Sequence, residues 1–268
     1  MGEIALVYMV AGMSSRFLGK IKQFAIVGEN GETLIEYSLK QALPAGFTKI
    51  IFIIGEKTEQ PFKEKFGDNY KGIPVYYTLQ LYDKTKRDRP LGTTDALCSA
   101  KQFLDCPFVV CNGDDLYGKN SFKILAEHLR KENTCATLGF ELGAGIPETG
   151  KVNRGIFQTE GDLVTEIKEE FEIERTNLSE KGLKETSLCS MNIFALQPGV
   201  VEDLSKLLTE FKEKNKDDRR IEALLPEDIS TLIKQNKLTL KLYPSLDLWI
   251  GITNPQDEEI VRNKLRTL

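Results

Sequence analysis

Histidine is almost absent from this chain: the one present is His128. That scarcity excludes a metal site built from several imidazoles and leaves a single residue for any Ser-His-Asp or Cys-His chemistry. His128 lies in "SFKILAEHLRKEN", whose spacing reads as an amphipathic helix, and it reads as an ordinary helix residue. The cysteines, Cys98, Cys106, Cys111, Cys135 and Cys189, are odd in number and show no CxxC spacing, so neither a disulfide framework nor a zinc site is indicated. They read as small core residues in a reducing cytosol. Long apolar runs are missing as well: "MGEIALVYMV" lacks a basic leading region, is too short for a signal peptide or a membrane span, and has Leu6 where N-myristoylation wants Ser or Thr. Strong net charge is also lacking, since 36 basic residues against 40 acidic ones leave −4, so nothing overall favours nucleic acid. A cytoplasmic protein with no nucleic-acid or membrane partner is expected, and homo-oligomerisation is left open. Any chemistry falls to carboxylates, lysine, arginine and a hard metal ion.

What the chain does have is length and alternation. At 268 residues, 41% hydrophobic, it can bury a sizeable core and lies near the upper limit for one domain. In the first half, apolar runs ("EIALVYMV", "KIIFIIG", "IPVYYTLQ", "PFVVCN") alternate with helical patterns ("TLIEYSLKQALPAG", "QPFKEKFGDNY", "TTDALCSAKQFL"), with a polar loop at "YDKTKRDRP". That pattern predicts an α/β fold with a mixed, mostly parallel sheet and helices on both faces. In the second half, "ATLGFEL", "GIFQTEGDLVTEIKE" and "LCSMNIFAL" read as longer antiparallel strands with a turn at Gly161 and Asp162. Helices at about 200–214 and 225–236, strands "LTLKLYP" and "DLWIGIT" and a closing helix from Pro255 follow. No linker or repeat separates the halves, so one domain over 1–268 is expected.

Three stretches carry chemistry. In "MVAGMSSRFLGKIKQF", directly after the first strand, Gly12 lets backbone approach a phosphate and Ser14 and Ser15 offer hydroxyls and amides. Arg16 can fork onto phosphate oxygens and Lys22 supplies a compact charge. The stretch is neither a Walker loop nor GxGxxG, and by itself it is also compatible with a surface turn. In "VVCNGDDLYG", Asp114 and Asp115 end a strand, where one suits Mg²⁺ and one suits an N-cap. In "LGTTDALCSA", Gly92 and Thr93 open a helix and expose unpaired amides.

Taken in order, "AGMSSR…KQF", "LIEYSLKQALPAGFTKIIFIIG", "LGTTDAL" and "NGDD" resemble the sugar-phosphate nucleotidylyltransferases, the NTP-transferase family with a Rossmann-like nucleotide-diphosphosugar transferase fold. Echoes continue in "RGIF", "EIKEE", "SMNIFAL" and "DLWIGITNPQD", so the resemblance spans nearly the whole chain. It implies attack by a sugar-1-phosphate oxygen on the α-phosphorus of a nucleoside triphosphate, with pyrophosphate leaving and Mg²⁺ as cofactor. It further implies a nucleotide-binding half, 1–132, and an acceptor-binding half, 133–268. Carried over, Arg16 and Lys22 are catalytic, and Ala11, Gly12, Met13, Ser14, Ser15, Gln80, Gly92 and Thr93 bind the nucleotide. Asn112, Gly155, Glu169 and Asn192 face the acceptor, and Asp114 binds the metal.

Two departures stand out. Where the family carries a lysine after the sugar-side glutamate, this chain has Glu170, which leaves Arg154 or Lys168 to hold the acceptor phosphate. Where the family has a second metal carboxylate, this chain has Gly251, and the nearest candidate is Asp247, about 13 Å earlier along a strand. The acceptor is therefore open. Alternatives are a cytidylyltransferase for a phosphorylated alcohol or phosphonate such as phosphocholine, and a non-catalytic regulatory subunit built on the same domain.

Overall fold

Strand β1 (Ala5–Met9) is apolar at every position, and the structure, a computed structural model that describes residues 2–12, 17, 20–147, 150–252 and 257–266, buries all of it. Its side chains alternate between two apolar clusters: Leu6 and Tyr8 join one, while Ala5, Val7 and Met9 join the other. A strand buried on both faces requires cover on both. Helices α1 (Leu34–Ala42), α2 (Glu59–Phe66) and α4 (Lys119–Lys131) cover the first face through Ile35, Leu39, Phe62, Phe66, Phe122 and Leu125. Helices α3 (Thr93–Ser99), α6 (Val200–Lys214) and α7 (Leu225–Lys234) cover the second through Ala96, Leu97, Val201, Leu204, Leu225 and Ile229. A short α5 (Leu142–Gly145) and a closing α8 (Asp257–Leu265) complete the helices of the described residues.

The main sheet has eleven strands in the order β10-β8-β9-β12-β7-β11-β5-β1-β2-β4-β3. Their ranges are β2 (Lys49–Ile54), β3 (Asn69–Tyr70), β4 (Ile73–Leu79), β5 (Phe108–Asn112), β7 (Cys135–Glu141), β8 (Val152–Glu160), β9 (Leu163–Ile173), β10 (Leu188–Cys189), β11 (Phe194–Leu196) and β12 (Leu240–Pro244). Two further strands, β6 (Asp115–Leu116) and β13 (Ile250–Gly251), pair only with each other.

"Mostly parallel" describes only part of this sheet. Parallel pairing joins β1 to β2 and β5, β2 to β4, and β7 to β12. Elsewhere neighbours are antiparallel: β11 inserts against β5 and β7, and β8 folds back on β9 through a turn with Gly161 at φ +62. A tight turn can join only antiparallel strands, whereas the βα alternation of the first half enforces parallel ones. Strand β7, almost entirely buried, reads the same from sequence whichever way its neighbours run. The stretch "LCSMNIFAL" is likewise two strands and not one, because Asn192, at φ +57, breaks the ladder between β10 and β11.

The single histidine lies within helix α4, as expected, and is a buried core residue there. His128 is 3% exposed, with Nε2 3.0 Å from the Thr134 carbonyl and Nδ1 3.2 Å from the Tyr243 hydroxyl. The carbonyl can only accept, so Nε2 carries the proton. All five cysteines are free, and four are buried.

Candidate active site

Because β1, β2, β4 and β5 run parallel, the carboxyl ends of β1, β4 and β5 point the same way. In such a sheet ligands bind beyond those ends. A cavity of about 860 Å³ opens there, lined by Ala11 and Gly12 after β1, Gln80 after β4, Asn112 at the end of β5, and Asp114 just beyond it. Lys22, Gly92, Thr93 and Asn192 complete this part of the wall. Residues separated by up to 181 positions along the chain thus meet in one place. Four residues of the opening stretch, Met13, Ser14, Ser15 and Arg16, lie outside the described residues.

Two glycines are fixed by the backbone and one is left open. A side chain on Gly113 would collide with the Val10 methyl, so only glycine lets the end of β5 pass beside β1. Gly92 takes φ +106, and a Cβ there would strike the Ala223 backbone, whose N would lie 2.8 Å away. Gly12 is different: a Cβ at Gly12 meets nothing within 4 Å among the described residues.

The start of α3 is more occupied than its sequence suggests. Thr94 N donates to the Ala223 carbonyl at 3.1 Å, so that amide is not open to a ligand. Thr93 Oγ1 accepts from Leu225 N at 2.8 Å. Gln80 Nε2 donates to the Gly92 carbonyl (2.9 Å) and to Asp95 Oδ2 (3.1 Å), so Gln80 has only its carbonyl oxygen to offer as an acceptor.

On the opposite wall, the Lys22 ammonium forms an ion pair with Asp114. Asp115, 8% exposed, accepts at Oδ2 from Asn112 Nδ2 (2.9 Å), with the Tyr117 hydroxyl 3.2 Å away and donating its one hydrogen to the Met191 carbonyl at 2.7 Å. Burial, and then the charge of Asp114, push the Asp115 carboxyl up to about 7 against the pull of the Asn112 amide, Lys22 and Arg154. It does not cap α4, whose N-cap is Gly118. Cations, carboxylates and amide oxygens converging beside open glycine backbone are what a metal-bound polyphosphate needs.

A family model described as Nucleotidyl transferase matches residues 18–243, most of the chain. The chain belongs to the nucleotidyl transferase family. Among solved structures it is similar to a protein described as a glucose-1-phosphate thymidylyltransferase from Bacillus anthracis, at TM-score 0.70 and 15% identity over 99% of this chain and 96% of that one. It is also similar to a UDP-glucose pyrophosphorylase complexed with UDP-glucose, at TM-score 0.66 and 16% identity over 100% and 99% of the two chains. An inositol-1-phosphate CTP transferase from T. maritima matches at TM-score 0.66 and 14% identity over 98% and 96%. At such identities the likeness is one of fold. None of the curated proteins matches the chain.

In this nucleotidyl transferase the residues that the resemblance assigns to the acceptor do not all reach the cavity. Asn192 does, held in its left-handed conformation with Oδ1 buried and without a hydrogen-bond partner among the described residues. Gly155 and Glu169 are cross-strand partners on β8 and β9 and are not among the described lining residues. Burial, and then Glu227, raise the Glu169 carboxyl, while Arg154 lowers it. Lys168 is tied to Glu170 at 2.6 Å on an exposed face. Arg154 lies 5.4 Å over the Trp249 ring, and its field reaches both Glu169 and Asp115.

Asp247 is not placed as a metal ligand. Its Oδ2 accepts from Ser121 N at 2.7 Å and its Oδ1 from Asn120 Nδ2 at 2.9 Å, so it closes the first turn of α4 from outside. The expectation from strand alternation fails because residues 245–249 are not strand: the ladder spans only Ile250–Gly251. Among the described residues no group of three or more His, Cys, Asp or Glu is placed to hold a metal. Asp114 does line the cavity, and so does Gln23, 3% exposed, whose Oε1 is buried and unpartnered among the described residues. That all-oxygen set fits Mg²⁺, which usually takes one or two carboxylates and completes its shell with water and phosphate.

Gln23 is one of the lining residues that sequence reasoning passed over, although it sits in "KQF" beside Lys22. Phe17, Asp88, Arg89, Arg220 and Glu222 are further examples. The loop 81–91 reads as merely polar, yet Arg219 binds Asp88 at 2.9 Å and Arg87 reaches the Asp218 carbonyl at 3.0 Å. Those bonds span more than 130 positions, and no local signal announces them.

Proposed function

We propose that this nucleotidyl transferase couples a nucleoside triphosphate to a sugar-1-phosphate and releases pyrophosphate, in a Mg²⁺-dependent reaction. The observation that carries the reading is the convergence of Gly12, Lys22, Gln80, Gly92, Asn112, Asp114 and Asn192 on one cavity at the carboxyl edge of the sheet. The nucleotide would occupy the half formed by residues 1–132 and the acceptor the half formed by 133–268. Backbone at Ala11 and Gly12 would approach the nucleotide, and the Gln80 carbonyl would accept from an N–H of the base. Lys22 would neutralise charge developing on the phosphates, with Arg16 as its partner on the leaving group. Asn192 would accept from an acceptor hydroxyl with its unpartnered Oδ1, and Arg154 would offset acceptor phosphate charge. Asp114 would hold Mg²⁺, which when bound draws charge from phosphate oxygens. No protein nucleophile is required, which suits a chain whose one histidine is buried in a helix.

The test is pyrophosphate release across the common nucleoside triphosphates, each with sugar-1-phosphates and with phosphocholine, in Mg²⁺ and in EDTA. Release with a sugar-1-phosphate, abolished by EDTA, is the expected result. Release only with CTP and a phosphorylated alcohol would replace the acceptor in this reading, and nucleotide binding without release in any combination would favour a regulatory subunit.

A further inference from the structure

Gln80 follows β4 onto the cavity wall, with its backbone N bonded to the Ile54 carbonyl at 2.9 Å and its side chain buried. A primary amide can turn either end toward a ligand, donating through its NH2 or accepting through its oxygen. In this site the neighbours make the choice. Gln80 Nε2 donates to the Gly92 carbonyl at 2.9 Å and to Asp95 Oδ2 at 3.1 Å. A carbonyl and a carboxylate only accept, so an amide turned by half a rotation would set its own oxygen against both of them. Both hydrogens of the NH2 are thus spent inside the protein, and the carbonyl oxygen is left for the cavity.

Half of that clamp is backbone, at Gly92, and half is a side chain that a third residue braces. Asp95 lies in the first turn of α3, its side chain 12% exposed, and its Oδ1 meets Lys212 Nζ, from the last turn of α6, at 2.8 Å. One oxygen goes to the ammonium and the other to the amide, so the carboxylate cannot rotate away without breaking both contacts. Neither Asp95 nor Lys212 is among the described residues that line the cavity, whereas Gln80 is. Their influence on a ligand therefore passes through Gln80.

We propose that Asp95, braced by Lys212, is the positioning residue that makes position 80 an obligate acceptor, and that the nucleoside triphosphate selected is one whose base turns an N–H toward it. This rests on reading the cavity as the nucleotide site. A base presenting a bare ring nitrogen or a carbonyl at that place would set lone pairs against lone pairs and be rejected.

The experiment is calorimetric titration of the full chain with ATP, GTP, CTP, UTP and dTTP, each with Mg²⁺ and without an acceptor. It reads the ratio of dissociation constants between the preferred base and the others, which in the wild type should reach at least ~10-fold. In D95N the asparagine can offer its own NH2 to a reversed Gln80, so the ratio should shrink at least ~3-fold. Because Asp95 acts through Gln80, D95N should change the ratio no further in a Q80A background. Lost packing alone would weaken every nucleotide equally and leave the ratio intact. Thermal unfolding identifies a D95N chain that fails to fold; K212M, which unbraces the carboxylate without removing it, then decides and should shrink the ratio in the same direction. An unchanged ratio in the folded variant, or an effect of D95N as large in Q80A as in the wild type, overturns the proposal while nucleotide binding by the wild type keeps the reading of the cavity. A wild type that binds all of them equally also overturns the proposal, and one that binds none overturns both.

Discussion

Replacing Gly92 and Gly12 by alanine, one at a time, separates a glycine the fold needs from one a ligand needs. Gly92 sits at φ +106, a region that costs an L-residue about 1–3 kcal/mol. Its added methyl would also press on the Ala223 backbone, which is anchored by Ala223 N donating to the Leu91 carbonyl at 2.7 Å. Overpacking of that kind costs about 1–3 kcal/mol more. Together, roughly 3 kcal/mol is a reasonable sum, and at about 2–4 °C per kcal/mol for a chain of this size the midpoint should fall by ~6–12 °C. Gly12 has no positive φ and, among the described residues, nothing within 4 Å of a Cβ, so G12A should unfold within about 1 °C of the wild type. Its methyl would project where backbone approaches the nucleotide, and the KM for the nucleoside triphosphate should rise at least ~10-fold. Thermal unfolding followed by intrinsic fluorescence gives the first quantity, and metal-dependent pyrophosphate release gives the second. G92A melting with the wild type would refute the close approach to Ala223, and G12A with an unchanged KM would refute the placement of the nucleotide against β1.

Other expected outcomes are independent of that pair. Lys22→Ala should lower the rate of pyrophosphate release by ~10³-fold, because a cation on the transferring phosphates is worth that much in related chemistry, while its melting curve stays that of a folded protein. Asp247→Ala should cost about 1 kcal/mol through the lost bonds to Ser121 N and Asn120, read as a small drop in midpoint with the Mg²⁺ dependence of the rate unchanged. Lys40 is the largest influence holding the Glu32 carboxyl at about 2, below its ordinary 4.5. A depressed acid stabilises the folded state fully above its unfolded value, so this contribution should persist above about pH 4.5 and fade as pH drops toward 2. Urea unfolding at pH 5 and pH 2.5 should show Lys40→Met less stable than the wild type at pH 5 and the gap closing at pH 2.5; an equal gap at both would refute it.

Much of this arrangement is written locally. Alternation of short apolar runs with amphipathic stretches specifies an α/β sheet covered on both faces, because a strand such as β1, apolar throughout, must be buried on both sides. "NGDD" after "VVC" marks a strand end on the ligand edge, and glycine suits position 113 because the Val10 side chain fills the space a Cβ would need. Lys22, Asp114 and Gly92 were legible for the same reason, since each follows a strand or opens a helix and parallel topology brings such positions to one edge, whereas Gln80 was named only through the family resemblance. What sequence could not decide is which residues from different segments touch. Strand direction in the second half depends on which strands pair, and apolar side chains carry no sign of it. Asp247 was drawn toward the cavity by an assumed strand, and the folded chain turns it onto α4. That Gly251 lies against the Asp115 carboxylate is likewise set only by the pairing of β6 with β13.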